Sequence, residues 1–122
     1  MQIGGKETSA VFDSAAQVTV FSKDFIEKLS SNPTKTGPIK LHNAMENSVM
    51  EGWEIKQLPF SLGGMRFKHN VYVAPIKDTC LLGLDFMLSY RVKIDLENGQ
   101  VSINGKTLTA QLRHDVTGRT FH

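Results

Sequence analysis

The segment Val11-Phe12-Asp13-Ser14-Ala15-Ala16-Gln17-Val18-Thr19-Val20 places a carboxylate directly behind an apolar stretch and ahead of three small residues. At the end of a buried strand a carboxylate is desolvated, which raises its pKa, and its ionised form needs hydrogen-bond donors nearby. Two readings fit Asp13: a turn capped through its own backbone, or a carboxylate kept in an apolar setting for chemistry. Other chemistries find less support. His42, His69, His114 and His122 have no zinc-like spacing to one another or to Cys80, so no metal is expected. Gly4-Gly5 and Gly63-Gly64 lack the glycine spacing and the following Lys-Ser/Thr of a phosphate cradle. Cys80 opens the apolar run Cys80-Leu81-Leu82, which suits a small buried thiol better than a nucleophile.

The elements that must position Asp13 are mostly strands. Stretches 9–13 and 17–21 read as strands bracketing Ser14-Ala15-Ala16, a tight connection in an apolar region. Ser22 offers an N-cap hydroxyl to a short helix over 23–29, with Asp24 in its first turn and Phe25, Ile26 and Leu29 on one face. A Ser/Asn/Pro/Gly loop over 30–38 leads to a strand at 39–42 and a small polar loop tip at 43–48. Strands at 53–62 and 65–73 flank Gly63-Gly64 as a hairpin, with Pro59 at an edge or bulge and His69 a rim or solvent residue on an otherwise apolar face. An apolar strand at 79–82 ends at Gly83, and a brief helix covers 85–90. Hairpins follow at Asn98-Gly99 and Asn104-Gly105, and 113–122 reads as a C-terminal tail. Ile3-Gly4-Gly5-Lys6 resembles a further hairpin turn, but the strand that should pair with 9–13 is nearly absent, so Met1 can mark a boundary inside a longer polypeptide.

Composition narrows the function classes. A chain of 122 residues fits one domain with one modest core. Fourteen Lys and Arg against twelve Asp and Glu leave a formal charge of +2, too little for a phosphate-binding groove, so no nucleic-acid partner is expected. No apolar run reaches membrane-spanning length and no signal-peptide stretch opens the chain, so a cytoplasmic protein without a membrane partner is expected.

The apolar-apolar-Asp-Ser-Ala-Ala-Gln-x-Thr pattern resembles the active-site strand and loop of retropepsin-like aspartic proteases, whose usual form is Asp-Thr/Ser-Gly-Ala. Leu81-Leu82-Gly83-Leu84-Asp85-Phe86-Met87 is similar to that family's second signature, in the family's order and spacing. The resemblance extends from Ile3 to Leu112 and is nearest to the proteases of Gypsy-type retrotransposon polyproteins; the retropepsin-like domains of ubiquitin-shuttle proteins are a more distant match. It implies an all-β acid-protease fold, a retropepsin-like closed β-barrel with one or two short helices and one lobe per chain, occupying 1–112.

Carried residue by residue, the resemblance makes Asp13 the catalytic carboxylate. Ser14 takes the position that hydrogen-bonds across the subunit boundary, Ala15 stands at the family's glycine, and Ala16 completes the loop. Ala44, Met45, Glu46, Asn47 and Ser48 correspond to the flap tip; Leu81 and Leu82 line or support the substrate side, with Gly83 and Asp85 bracing the loop beneath. Aspartic proteolysis needs two carboxylates sharing one proton. Asp24, Asp78, Asp95 and Asp115 lack the surrounding signature and Asp85 belongs to the helix motif, so the resemblance implies a homodimer acting on a polypeptide substrate, without cofactor, in the cytoplasm or inside retroelement particles. The alternative is an inactive retropepsin-fold module for dimerisation or peptide binding, suggested by Ala15 and the missing N-terminal strand.

Overall fold

Turn chemistry and side-chain alternation set the elements of the computed structural model, which describes residues 1–31, 33–43 and 47–113. In chain order they are β1 (Gln2–Ile3), β2 (Lys6–Glu7), β3 (Val11–Asp13), β4 (Val20–Ser22), α1 (Lys23–Glu27), β5 (Thr36–Asn43), β6 (Ser48–Leu62), β7 (Met65–Ala74), β8 (Cys80–Leu82), α2 (Leu84–Ser89), β9 (Lys93–Asp95), β10 (Gln100–Ile103), β11 (Lys106–Thr109) and β12 (Gln111–Arg113). Gly63 and Gly64 both take positive φ, 54° and 82°, so Leu62 pairs directly with Met65 across the β6–β7 turn. Ser22 caps α1 by accepting the Phe25 N–H at 3.3 Å.

Among the described residues, one sheet runs in the order β12-β3-β8-β4-β7-β6-β1-β2, with β5 paired to β6, and β11-β10-β9 form a second sheet. The large sheet curls as a half-barrel. Alternation sends successive residues to opposite faces: Phe21, Val73 and Leu82 enter the main core, while Val20, Ala74 and Leu81 form a smaller apolar cluster with Leu41. In the main core Phe60 packs against Phe21, Phe67 and Phe86 with ring centroids 6.0, 5.9 and 5.6 Å away. Each such fully buried side chain contributes about 1.5–3 kcal/mol.

Several boundaries differ from those expected. The strand read at 17–21 begins only at Val20, because Thr19 turns its polar groups toward α2. Strands β5 and β6 start earlier than 39 and 53, making one long ribbon that pairs to Asn43 and Ser48. The bulge in β6 falls between Ile55 and Leu58, ahead of Pro59, which pairs with Lys68. There Gln57 has φ 54° and donates its N–H to Asn70 Oδ1 at 2.9 Å. The missing partner of β3 comes from the opposite end of the chain: β12 lies parallel to it, with Gln111 beside Val11 and Arg113 beside Asp13. Arg113 therefore closes a strand where a tail was expected to begin; 114–122 lie outside the described residues.

Candidate active site

Asp13 ends β3, flanked by β8 and β12, and is fully buried. Its Oδ1 accepts the Ala15 N–H at 3.0 Å, and its carbonyl accepts the Ala16 N–H at 3.1 Å. Asp13 thus does cap its own turn, one of the two readings its sequence context left open. Ser14 donates its N–H to the Arg113 carbonyl at 2.9 Å. Ala15 is buried, and it is not among the non-glycine residues with positive φ, so its methyl carries no backbone strain there.

Residues Gly83 to Asp85 brace this loop from below. Leu84 N–H donates to the Ala16 carbonyl at 2.8 Å and Asp85 N–H to the Gln17 carbonyl at 3.1 Å. Thr19 is fully buried; its hydroxyl donates to Asp85 Oδ1 at 2.7 Å and accepts the Gly83 N–H at 3.1 Å, while its N–H reaches Asp85 Oδ2 at 3.2 Å. Gly83 is required by space: a Cβ there would lie 2.4 Å from the Val18 carbonyl oxygen and 2.9 Å from that of Ala16. Burial pushes the Asp85 carboxyl up, but His69 and the Thr19 and Phe86 donors outweigh it and hold the group below its ordinary value.

The structure thus joins Asp13, Ser14, Ala15, Ala16, Gly83 and Asp85 in one braced unit. Leu81 pairs beside Val11 and faces the smaller apolar cluster, while Leu82 faces the main core. That smaller cluster borders a cavity of about 310 Å³ lined by Val18, Ile39, Leu41 and Tyr72, with Lys40 and Glu54. Asn47, at φ 48°, and Ser48 lie at the outer end of the β5–β6 ribbon; Ala44, Met45 and Glu46 lie outside the described residues. Burial pushes the Cys80 thiol up, as its apolar run predicts.

Three side chains escaped the sequence reading. His69 is not a solvent residue: its side chain is 13% exposed, Nε2 lies 3.3 Å from Asp85 Oδ2, and its ring meets Phe86 edge-on. Its interruption of the apolar face Met65, Phe67, Val71, Val73 was the available signal. Arg113 forms a forked pair with Asp78, Nη1 to Oδ2 at 3.0 Å and Nη2 to Oδ1 at 3.2 Å, and Nη1 lies 4.0 Å from Asp13 Oδ2. Asp78 pushes the guanidinium pKa up. Neither residue sits in a motif.

A buried carboxylate held by its own loop, on a curled sheet with a long ribbon above the smaller apolar cluster, defines a single lobe of the acid-protease type. The aspartyl protease family profile matches residues 1–86, and the chain belongs to that family. It is 29% identical over 116 residues to the UBA domain-containing protein Mud1 of Schizosaccharomyces pombe, covering 88% of this chain but only 33% of Mud1. Its fold is similar to the retroviral protease-like domain of Ddi1 from Leishmania major, with a TM-score of 0.66, 21% identity, and 87% and 86% of the two chains covered. The EIAV protease, solved with the inhibitor HBY-793, is similar at a TM-score of 0.59 and 19% identity, with 70% and 78% covered. No helix among the described residues is long and apolar enough to cross a membrane.

Proposed function

We propose that the chain is a homodimeric aspartic endopeptidase in which the two Asp13 carboxylates share a proton and activate one water for attack on a peptide carbonyl. One observation carries this reading: the Asp13 carboxylate is oriented by the Ala15 N–H on a loop that the Gly83 to Asp85 unit immobilises. In the dimer Ser14 bridges the two loops, Leu81 and the Val18, Ile39, Leu41 and Tyr72 cavity receive an apolar substrate side chain, and residues 44–48 form the flap tip. The cytoplasm is the proposed compartment. Processing of a retroelement polyprotein is the proposed role; the likeness to Mud1, a UBA domain-containing protein, supports a role within a larger host protein as the other setting.

The test is cleavage of a peptide library by the protein and by Asp13→Asn. The variant should lose activity by about 10²–10⁴-fold or more with an unchanged circular dichroism spectrum, and wild-type specific activity should fall on dilution as dimers part. Turnover by Asp13→Asn, or activity in a monomer, would remove the reading. The second reading, a peptide-binding or dimerisation module, is favoured by the complete burial of Asp13 and by the Ser14 N–H being taken by Arg113 within one chain. Ala15 no longer supports it, since that position accepts a side chain without strain. Binding of a statine-type inhibitor without cleavage at any pH would favour it.

A further inference from the structure

The contact between Arg113 and the candidate catalytic carboxylate is built from two independent constraints. Parallel pairing of β12 with β3 sets Arg113 directly beside Asp13. The fork onto Asp78 then fixes the guanidinium plane, because two parallel N–H to oxygen bonds leave it little rotational freedom. Its Nη1 ends 4.0 Å from Asp13 Oδ2, the oxygen not taken by the Ala15 N–H, which holds Oδ1.

We propose that Arg113 is a positioning residue for the Asp13 carboxylate: delivered by β12 and anchored on Asp78, its guanidinium favours the ionised form of Asp13 and sets the pH range over which the dyad keeps a single proton. This rests on the reading of Asp13 as a dyad carboxylate. Among the described residues, the charged groups facing the pair include Arg113 from β12 and Asp78 from the loop between β7 and β8. Strand β8 contributes Cys80, whose thiol burial keeps neutral, with Leu81 and Leu82, and on α2 Asp85 is committed to Thr19, Phe86 and His69. An opposite charge within about 4–6 Å shifts a carboxylate by about 1–3 pH units. The Arg113 side chain is 43% exposed and shares its charge with Asp78, which puts the effect at the low end, about one unit.

A merely structural staple would hold β12 in place without moving this titration. The test follows the Asp13 side-chain carboxyl ¹³C shift against pH in the wild type, Arg113→Gln and Arg113→Lys, with the pH profile of peptide cleavage read on the same proteins. Arg113→Gln should raise the apparent midpoints of the dyad by about one unit and move both limbs of the cleavage profile upward. Arg113→Lys should restore most of the shift. Should Arg113→Gln loosen β12, Asp78→Asn provides a second reading: it leaves the Arg113 charge unshared beside Asp13, and the midpoints should fall. Unchanged midpoints in Arg113→Gln and in Asp78→Asn, or a lysine variant that titrates like the glutamine one, would overturn the inference. An inert protein that still shows the shift would remove the protease reading and leave this one standing.

Discussion

Residues 14–19 and the outer half of the β5–β6 ribbon are held in opposite ways. The loop is tied to Gly83, Leu84 and Asp85 by backbone and side-chain hydrogen bonds, and Thr19 at its end is fully enclosed. The ribbon beyond Gly52 packs on the body along one face, through Ile39, Leu41 and Met50, and turns its other face to solvent: Val49 is 53% exposed, His42 opposite it is exposed, and so are Lys40 and Glu51. A braced loop keeps a reacting group at fixed geometry, whereas a ribbon anchored along one face only can open at lower cost.

The sharpest break of this contrast is Gly83→Ala. The added methyl meets backbone atoms of Val18 and Ala16 that cannot swing aside, and overpacking of this kind costs about 3 kcal/mol or more. Urea unfolding measures it, and a loss under 1 kcal/mol would mean the loop gives way easily. Next in size is Thr19→Val, which removes a buried hydroxyl and leaves the Gly83 N–H without its acceptor, at a cost of about 1–3 kcal/mol. A neutral result would show that the hydroxyl braces nothing.

Acid provides a gentler probe. The folded-state pKa of Asp85 is depressed, so its contribution is fully present above the unfolded aspartate value of about 3.9 and is lost as pH falls through the lower folded value. Melting temperature should therefore drop more between pH 6 and pH 3 (roughly one unit below that reference) in the wild type than in Asp85→Asn. Equal drops would assign acid sensitivity to other carboxylates. The smallest effect belongs to the outward face of the ribbon: Val49→Ser should stay within about 0.5 kcal/mol, and a loss above about 1 kcal/mol would show that this face leans on the body too and erase the contrast.

The same contrast explains what could be read from sequence. Asp13, Ser14, Thr19, Gly83 and Asp85 sit where hydrogen bonds or close approach demand a particular residue type, so they stand out as two motifs. Gly63-Gly64, Asn98-Gly99 and Asn104-Gly105 fix their turns locally, and Gly63, Gly64, Gly99, Asn104 and Gly105 all have positive φ. The first arm of the ribbon was read at 39–42, where Ile39 and Leu41 alternate with Lys40 and His42, but 48–52 was missed because Ser-Val-Met-Glu-Gly carries no such alternation. The β12–β3 pairing escaped because a three-residue parallel strand has no periodicity of its own and finds its partner across nearly the whole chain. Arg113, Asp78 and His69 escaped for a related reason: a charged side chain reveals its partner only once the topology has brought the two together.

That distant pairing also bears on timing. Val11 takes its neighbours from Leu81 and Gln111, so the strand that presents Asp13 is made well before either neighbour and completed only once β12 has emerged. The β6–β7 hairpin, joined through adjacent residues, needs no such wait. Contacts of long sequence separation form late because the intervening loop must first be closed. A nascent chain therefore exposes its carboxylate without the β8 and β12 neighbours that shape it, and the site matures only after β12 has been made.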